Sequence, residues 1–452
     1  MMYSSILNLF KRALTVIVIC ISSAPLNSFA AECPCDIYKT AGTPCVAAYS
    51  TVRRLSSTYD GPLYQVRKTT DKTTKDIFLI AGGTVADAAA QDSFLGTGAG
   101  TISKLYDQSG KGNDLIKGPA GNYTGTAGQP DNEANAKSKS FMINGHKAYA
   151  IYINPAEGYR DNQTTGMPTN NAAQGIYAVE DGSRANVGDK CCFDFGNAST
   201  DNTAGSTGSM NSLFFGVCTY WEKGSGSGPW FMNDMEAGVR AGGATNSKLP
   251  SSKFDFAFGI TKTNTGGSPQ WALRVADGTV GNGALPKLVT AVDGQAPSTW
   301  KMPGGIILGV GGDNSNSSNG TFYEGCITAG RPSDETDDAI LKNVAAAKYG
   351  SSTPSPVFYG AKEAATAHGY NICYNPSNAK VVISYALPAS RRVSMNIFDQ
   401  QGRQVAVIVN GIIPAGRHES VWDAKRVLAG VYVCRTSIDG LEGWSEKIIV
   451  GK

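Results

Sequence analysis

Carboxylates are the main suppliers of acid–base chemistry in this sequence. Of its three histidines, His368 and His418 lie in the C-terminal fifth, and His146 sits in Asn144-Gly145-His146-Lys147, a turn leading into a strand. A Ser-His-Asp hydrolase would have to recruit that one turn histidine. A zinc site is as poorly supplied, with no His pair and no CxxC pair at ligand spacing. No glycine-rich phosphate loop runs from a strand into a helix, so nucleotide chemistry is not indicated. The expectation is chemistry without a metal or a cofactor.

Two carboxylate neighbourhoods stand out. In Pro229-Trp-Phe-Met-Asn-Asp234-Met-Glu236, strand alternation predicts Asp234 and Glu236 on one face and Met235 on the other. Two acids on one face repel unless they line a polar cleft, where each raises the pKa of the other. The plain alternative is a solvent-exposed edge, but the flanking Trp and Met favour a cleft. In Gly305-Ile-Ile-Leu-Gly-Val-Gly-Gly-Asp313-Asn-Ser-Asn316, an apolar strand runs into paired glycines, which let a backbone approach a ligand closely, and then into an acid at the strand's end. An Asx turn would use the same residues. Calcium is not expected from Asp313 to Glu324, because Ser318 stands where a calcium loop needs glycine. Two carboxylates in a cleft rimmed by Trp, Tyr and Asn suit glycoside hydrolysis, one as nucleophile or base and the other as acid.

The elements that must position these acids are strands. From about Cys35 to Tyr349, short apolar or alternating runs such as Lys147–Ile153 and Gly305–Val310 are separated by Gly/Asn/Ser/Thr/Pro clusters, the pattern of a large all-β sandwich. One stretch reads as helix: Asp334–Tyr349, with Ser333 as its cap. Residues 351–372 read as a linker. Residues 373–452 carry six or seven short strand-like runs, the pattern of a second, smaller immunoglobulin-like sandwich. With 452 residues, 41% of them hydrophobic and 17% charged, the chain can fill a core. Its net charge of +3 does not suit a nucleic-acid binder.

Residues 1–30 read as a signal peptide: Lys11 and Arg12, the apolar run Ala13–Ile21, then Ser28-Phe-Ala30 as a cleavage site. The run is too short to span a membrane. Export permits disulfides, and nine of the ten cysteines lie beyond residue 30. Cys35 and Cys45 bracket a short loop, as a staple would. For Cys191-Cys192, spacing alone favours two separate cysteines on opposite faces of a strand over a bond between neighbours. Cys373 and Cys434 could pair across the smaller sandwich, and Cys218 with Cys326 in the larger.

At Pro34-Cys-Asp-Ile-Tyr38, Thr43-Pro-Cys-Val-Ala-Ala48, Tyr106-Asp-Gln-Ser-Gly110, Asn144-Gly-His-Lys-Ala-Tyr149, Cys191-Cys-Phe-Asp194, Gly228-Pro-Trp230, Asp234-Met-Glu236, Gly311-Gly-Asp-Asn-Ser-Asn316 and Gly320-Thr-Phe-Tyr-Glu-Gly325, residues 33–350 resemble the catalytic domain of the α-L-arabinofuranosidases of glycoside hydrolase family 54. The resemblance implies a retaining mechanism on a concanavalin-like β-sandwich, with Glu236 as nucleophile and Asp313 as general acid/base. It implies carboxyls about 5–5.5 Å apart, and burial or the charge of Glu236 keeping Asp313 protonated at the start. It turns Cys191-Cys192 into a vicinal disulfide flooring the sugar site, and makes Cys35–Cys45 a family staple. Asp234, Trp221, Met210 and Gly312 fall on pocket-lining positions, and Asp234 could also hold the nucleophile in place.

The implied partner is plant cell-wall polysaccharide, arabinoxylan or arabinan, acted on by a secreted or cell-surface monomer. A non-catalytic carbohydrate-binding module on the same sandwich is the alternative. Retention of both Glu236 and Asp313 favours the enzyme. Two departures stand out: Ala237 occupies a position where the family typically carries Asn, and Asp92–Gly98 lacks a family cysteine. Where fungal members end in a β-trefoil, residues 373–452 instead resemble bacterial C-terminal sorting domains. That likeness rests on Ile383-Ser-Tyr-Ala-Leu-Pro388, Asn396-Ile-Phe-Asp399, Val421-Trp-Asp423, Gly430-Val-Tyr432 and Lys447-Ile-Ile-Val450, and it implies contact with secretion machinery.

Overall fold

A computed structural model describes residues 32–122, 129–186, 188–264, 270–279, 289–293, 296–351, 370–375, 379–387, 390–414, 416–425, 427–439 and 441–450. The signal-peptide reading of 1–30 and most of the linker reading lie outside them. The chain divides into a larger unit within Ala31–Val357 and a smaller one within Phe358–Lys452.

The larger unit is an antiparallel β-sandwich. One sheet runs in the order Val289–Asp293, Trp271–Asp277, Ala257–Thr263, Gln174–Glu180, Gly320–Ala329, His146–Ile153, Lys139–Ile143, with Cys45–Ser50 also paired to Gly320–Ala329. The other runs Val239–Arg240, Trp230–Asp234, Asn211–Gly216, Asp194–Ala198, Gly305–Leu308, Tyr159–Asp161, Ile116–Lys117. Between them Phe215 stacks on Phe231 with ring centroids 4.2 Å apart, and Phe195 meets Phe322 at 5.1 Å. Gly259 makes this approach possible, because a Cβ there would strike the Phe231 ring.

The first sheet is covered on its outer face as well, so Gln174–Glu180 and Ala257–Thr263 are buried at every position. The cover includes helix Asp334–Ala346, which Ser333 caps by accepting from the Thr336 N–H, as the sequence predicts; it ends three residues earlier than expected. Its acidic first turn docks on buried cations of the sheet: Lys262 Nζ lies 2.6 Å from Asp334 and 2.7 Å from Asp337, and Arg274 3.2 Å from Asp337. Two helices were not expected. Pro34–Thr40 starts with Pro at its first position and Asp36 closing a capping box, and Ala88–Leu95 is capped by Asp87.

In the smaller unit, Tyr370–Asn375, Lys380–Leu387 and Gly416–Asp423 form one sheet. Gln404–Ile413, Arg391–Phe398, Gly430–Ile438 and Leu441–Val450 form the other. Their core includes Ile383, Ile397, Trp422, Tyr432 and Ile448. Seven strands in two sheets match the expected immunoglobulin-like sandwich. The side chain of Cys373, and with it the suggested Cys373–Cys434 pairing, lies outside the described residues. Among the described residues no helix is long and apolar enough to cross a membrane.

Candidate active site

The site is built on the outward face of the second sheet. Residues opposite one another in an antiparallel pair face the same side. The register therefore sets Arg160, Ile307, Gly196, Ser212 and Asp234 in one row across five strands. Phe195 and Phe231, on the other face, are the ones that enter the core between the sheets. Met210, Ala198, Ile307 and Val310 form a small apolar cluster of their own.

Strand alternation does not bring Glu236 beside Asp234. The strand ends at Asp234, and the chain then turns through two left-handed residues, Glu236 at φ +60° and Ala237 at φ +53°. Such a backbone costs a side-chain-bearing residue about 1–2 kcal/mol. Asp234 helps to hold it: its Oδ1 accepts the Glu236 N–H at 2.9 Å. Glu236 is half-buried. Burial first, then the charges of Asp234 and Asp313, push its carboxyl up to about 8, against a hydrogen bond from the Gly205 N–H and the charge of Arg160. Asp234 is itself pushed up to about 6, chiefly by burial. Behind it lies Asp194, fully buried and raised well above the usual carboxylate range by burial and then by Asp234. The two buried acids thus raise and lower each other's proton affinity in opposite senses, with Asp194 the more strongly raised.

Asp313 stands on the loop following Gly305–Leu308. The Asx turn is present, with the Ser315 N–H donating to Asp313 Oδ1 at 2.9 Å, so the turn and the placement of the acid are one structure. Gly312 is the point of closest approach: a Cβ there would collide with Glu236 Oε2 and lie 3.2 Å from Met210 Sδ. Two buried side chains hold the loop. Asp131 accepts from Asn314 Nδ2 at 3.0 Å and from Asn316 Nδ2 at 2.6 Å. Arg160 donates to the Gly311 and Gly312 carbonyls at 3.1 and 2.9 Å.

Cys191 and Cys192 are bonded to each other, across a cis peptide with Cα atoms 2.9 Å apart. The preference from spacing for two separate cysteines assumed a trans peptide. Cys192 Sγ lies 3.6 Å from both Asp234 Oδ2 and Ser315 Oγ, so the disulfide bridges the two acid-bearing segments. Cys35 and Cys45 are also bonded. Cys218 and Cys326 are not: Cys218 packs in the core between the sheets, whereas Cys326 Sγ sits 3.8 Å from Cys35 Sγ in the core under the helices. Trp221 is part-exposed beside Gly238, just beyond Glu236. Its neighbour Glu222 fastens that segment by accepting the N–H groups of Ala241, Gly242 and Gly243, each at 2.8 Å.

Glu236, Asp234, Gly312, Met210 and Cys192 thus converge as expected, with Trp221 over the adjoining turn. Arg160, Asp131, Asp194, Ser199 and Gly205 were not anticipated. They belong to short strands and loops that only the cross-strand register brings to the site, and no local spacing announces them.

A sandwich that sets two carboxylates against each other over a disulfide, with a third acid fixing one of them, has the architecture of a glycoside hydrolase. Residues 34–350 match the family described as alpha-L-arabinofuranosidase B, catalytic, and the chain belongs to that family, glycoside hydrolase family 54. A probable alpha-L-arabinofuranosidase B of Aspergillus fumigatus is 46% identical over 324 residues, covering 70% of this chain and 62% of its own length. The alpha-L-arabinofuranosidase B of Aspergillus oryzae is 43% identical, covering 75% and 66%. This chain therefore spans about two thirds or slightly less of these relatives. Among solved structures, a family 54 α-L-arabinofuranosidase mutant soaked with 4-nitrophenyl α-L-arabinofuranoside superposes with a TM-score of 0.66 at 38% identity, covering 80% of this chain and 73% of that one. An arabinofuranosidase complexed with arabinofuranosyl-α-1,2-xylobiose gives 0.66 at 36%, covering 84% and 72%. Residues 372–451 match the secretion system C-terminal sorting domain, which points to secretion or the cell surface.

Proposed function

We propose that the chain is an exo-acting, retaining α-L-arabinofuranosidase that removes terminal arabinofuranosyl groups from arabinoxylan or arabinan. The observation that carries the reading is the approach of Glu236 to Gly312, next to Asp313, on a family 54 sandwich. Glu236 attacks the anomeric carbon while Asp313 gives its proton to the departing glycosidic oxygen. Asp313, now a carboxylate, then takes a proton from the water whose oxygen displaces Glu236, and arabinose leaves with its configuration retained. The left-handed turn aims the nucleophile, and Asp234 holds that turn and offers Oδ2 to a sugar hydroxyl. The Cys191–Cys192 disulfide and Met210 supply an apolar floor, Trp221 a flanking ring, and Gly312 the room for substrate.

The charge of Asp313 is one of the causes that raise the Glu236 carboxyl, after burial and Asp234, so the two acids act on each other across the site. The domains in this reading are the signal peptide 1–30, the catalytic domain 33–350, the linker 351–372 and the sorting domain 373–452. It describes a bacterial, secreted or surface-held monomer, engaged by secretion machinery through its C-terminal domain and active on xylan side groups. The test is 4-nitrophenol release from 4-nitrophenyl α-L-arabinofuranoside, with the anomeric configuration of the first-formed arabinose followed by NMR. Activity with retention, lost in Glu236→Ala and Asp313→Ala, supports the reading, and a folded but inert parent chain refutes it.

A further inference from the structure

Arg160 is a buried cation that gives its hydrogen bonds to neutral acceptors, three of them backbone carbonyls. It lies on the three-residue strand Tyr159–Asp161 and is 2% exposed. Besides the two glycine carbonyls, its guanidinium donates to Ser199 O at 2.7 Å, Ser199 Oγ at 3.2 Å and Asn162 Oδ1 at 3.2 Å. Ser199 Oγ in turn donates to Gly312 O at 2.7 Å, so Gly312 is gripped twice. Among the described residues no carboxylate forms an ion pair with Arg160. A buried guanidinium without an anion in contact costs several kcal/mol, and an apolar side chain would fill the same space without that cost. A fixed positive charge at this place therefore calls for a reason beyond packing.

We propose that Arg160 is a positioning residue of the reaction. Its planar fork fixes the Gly311–Gly312 backbone that carries Asp313, and its fixed positive charge acts on both Asp313 and Glu236. The inference rests on the glycosidase reading and deepens it. In the first half-reaction an electron pair of Glu236 forms the bond to the anomeric carbon as the glycosidic C–O bond breaks, and the proton of Asp313 passes to the leaving oxygen. The negative charge thereby moves from Glu236 to Asp313, and the second half-reaction returns it. A cation facing both acids offsets the charge in either place.

The acids that act on Arg160 are, in order, Asp131, Asp313, Asp201 and Glu236. Asp131 is tied to Asn314 and Asn316 on the same loop, and Asp201 to Thr203 at 2.7 Å. Glu236 also faces Asp234, with Asp194 behind it and Arg240 acting on Asp234 from the adjoining turn. Burial lowers the Arg160 guanidinium only to about 10, so it stays charged through the working range of a carboxylate pair.

The test compares kcat and KM across pH for the parent chain, Arg160→Lys, Arg160→Met and Ser199→Ala. The substrates are 4-nitrophenyl α-L-arabinofuranoside, whose leaving group needs little protonation, and an arabino-oligosaccharide, whose leaving group needs it. Arg160→Met is expected to lose about 100-fold or more in kcat with a much smaller change in KM, and both limbs of its pH profile should move to higher pH. Arg160→Lys should keep the profile but lose about 10-fold more on the oligosaccharide than on the nitrophenyl substrate, since charge is retained and the fork is lost. Ser199→Ala should show the same bias more weakly.

Unchanged kcat and profile in the folded Arg160 variants would overturn the inference, even if their melting temperatures fall. Should Arg160→Met not fold, parent-like kcat on both substrates in Arg160→Lys and Ser199→Ala would overturn it equally. A parent chain inert on both substrates would instead refute the glycosidase reading beneath it.

Discussion

Glu324 and Glu236 belong to the same sandwich and are surrounded in opposite ways. Glu324 is fully buried and receives everything a carboxylate can accept: Arg53 through Nε at 2.5 Å and Nη2 at 2.6 Å, Tyr177 at 3.1 Å and Tyr349 at 2.5 Å. Asp337 is likewise met by Lys262 and Arg274. Around Glu236 the neighbours are other acids, and the deeply buried cation Arg160 gives its hydrogen bonds to carbonyls and a hydroxyl. Satisfied acids hold the first sheet to its helices and to the chain around Arg53. Unsatisfied ones store a proton affinity that a reaction can use. Burial is common to both sets; what sets Glu236 apart is that its neighbours are other acids, Asp234 and Asp313, where Glu324 has a cation and two hydroxyls.

Removing the nucleophile tests the contrast most severely. Glu236→Gln should lose at least about 10³-fold in kcat. It should also gain stability, and the sign follows from the raised carboxyl. With a folded value of about 8 against an ordinary 4.5, the folded state binds the proton more tightly than the unfolded one. The stability this group contributes is full below about 4.5 and is lost as pH rises through about 8. The amide has no such loss, so the melting-temperature advantage of Glu236→Gln should grow between pH 5 and pH 8, as scanning fluorimetry across that range would register.

Breaking a satisfied pair should do the reverse. Arg53→Met strands Glu324 and should cost about 3–5 kcal/mol in chemical denaturation, with kcat per folded molecule unchanged. Asp234→Asn is the intermediate case. The amide oxygen still accepts the Glu236 N–H, so kcat should fall only about 10-fold. Because the Asp234 charge helps to raise Glu236, the acidic limb of kcat/KM should move to lower pH. The smallest effect is expected at Glu180, buried with neither oxygen hydrogen-bonded among the described residues and raised well above the usual range by burial alone. Glu180→Gln should leave kcat unchanged and raise the melting temperature by a few degrees at pH 8 relative to pH 4, because above the ordinary carboxylate range the unfolded state gives up the proton that the buried acid retains.

Much of this contrast could be read from residue types, and some of it could not. Alternating apolar runs gave the sandwich, and the glycine pair before Asp313, read as a place where backbone approaches a ligand, is where the backbone comes close to the Glu236 carboxyl. Alternation failed after Asp234 because the strand stops there and two non-glycine residues turn left-handed, which period-2 reasoning does not anticipate. The short helices were missed although Pro34 and Asp87 are ordinary start signals. Arg160 was illegible for a different reason. Tyr159-Arg-Asp161 is an unremarkable triplet until register carries it across Gly305–Leu308 to the acid loop. The Glu324 clamp joins Arg53 to a residue 271 positions away, which no local pattern encodes.

The most direct measurement sets Glu236→Gln beside Glu324→Gln, recording kcat per folded molecule and melting temperature for both in the same buffers at pH 7. The account predicts that Glu236→Gln is nearly inert and at least as stable as the parent, whereas Glu324→Gln, which strands Arg53, is several kcal/mol less stable and fully active while folded. An active Glu236→Gln, or a Glu324→Gln that loses activity without losing stability, would contradict it.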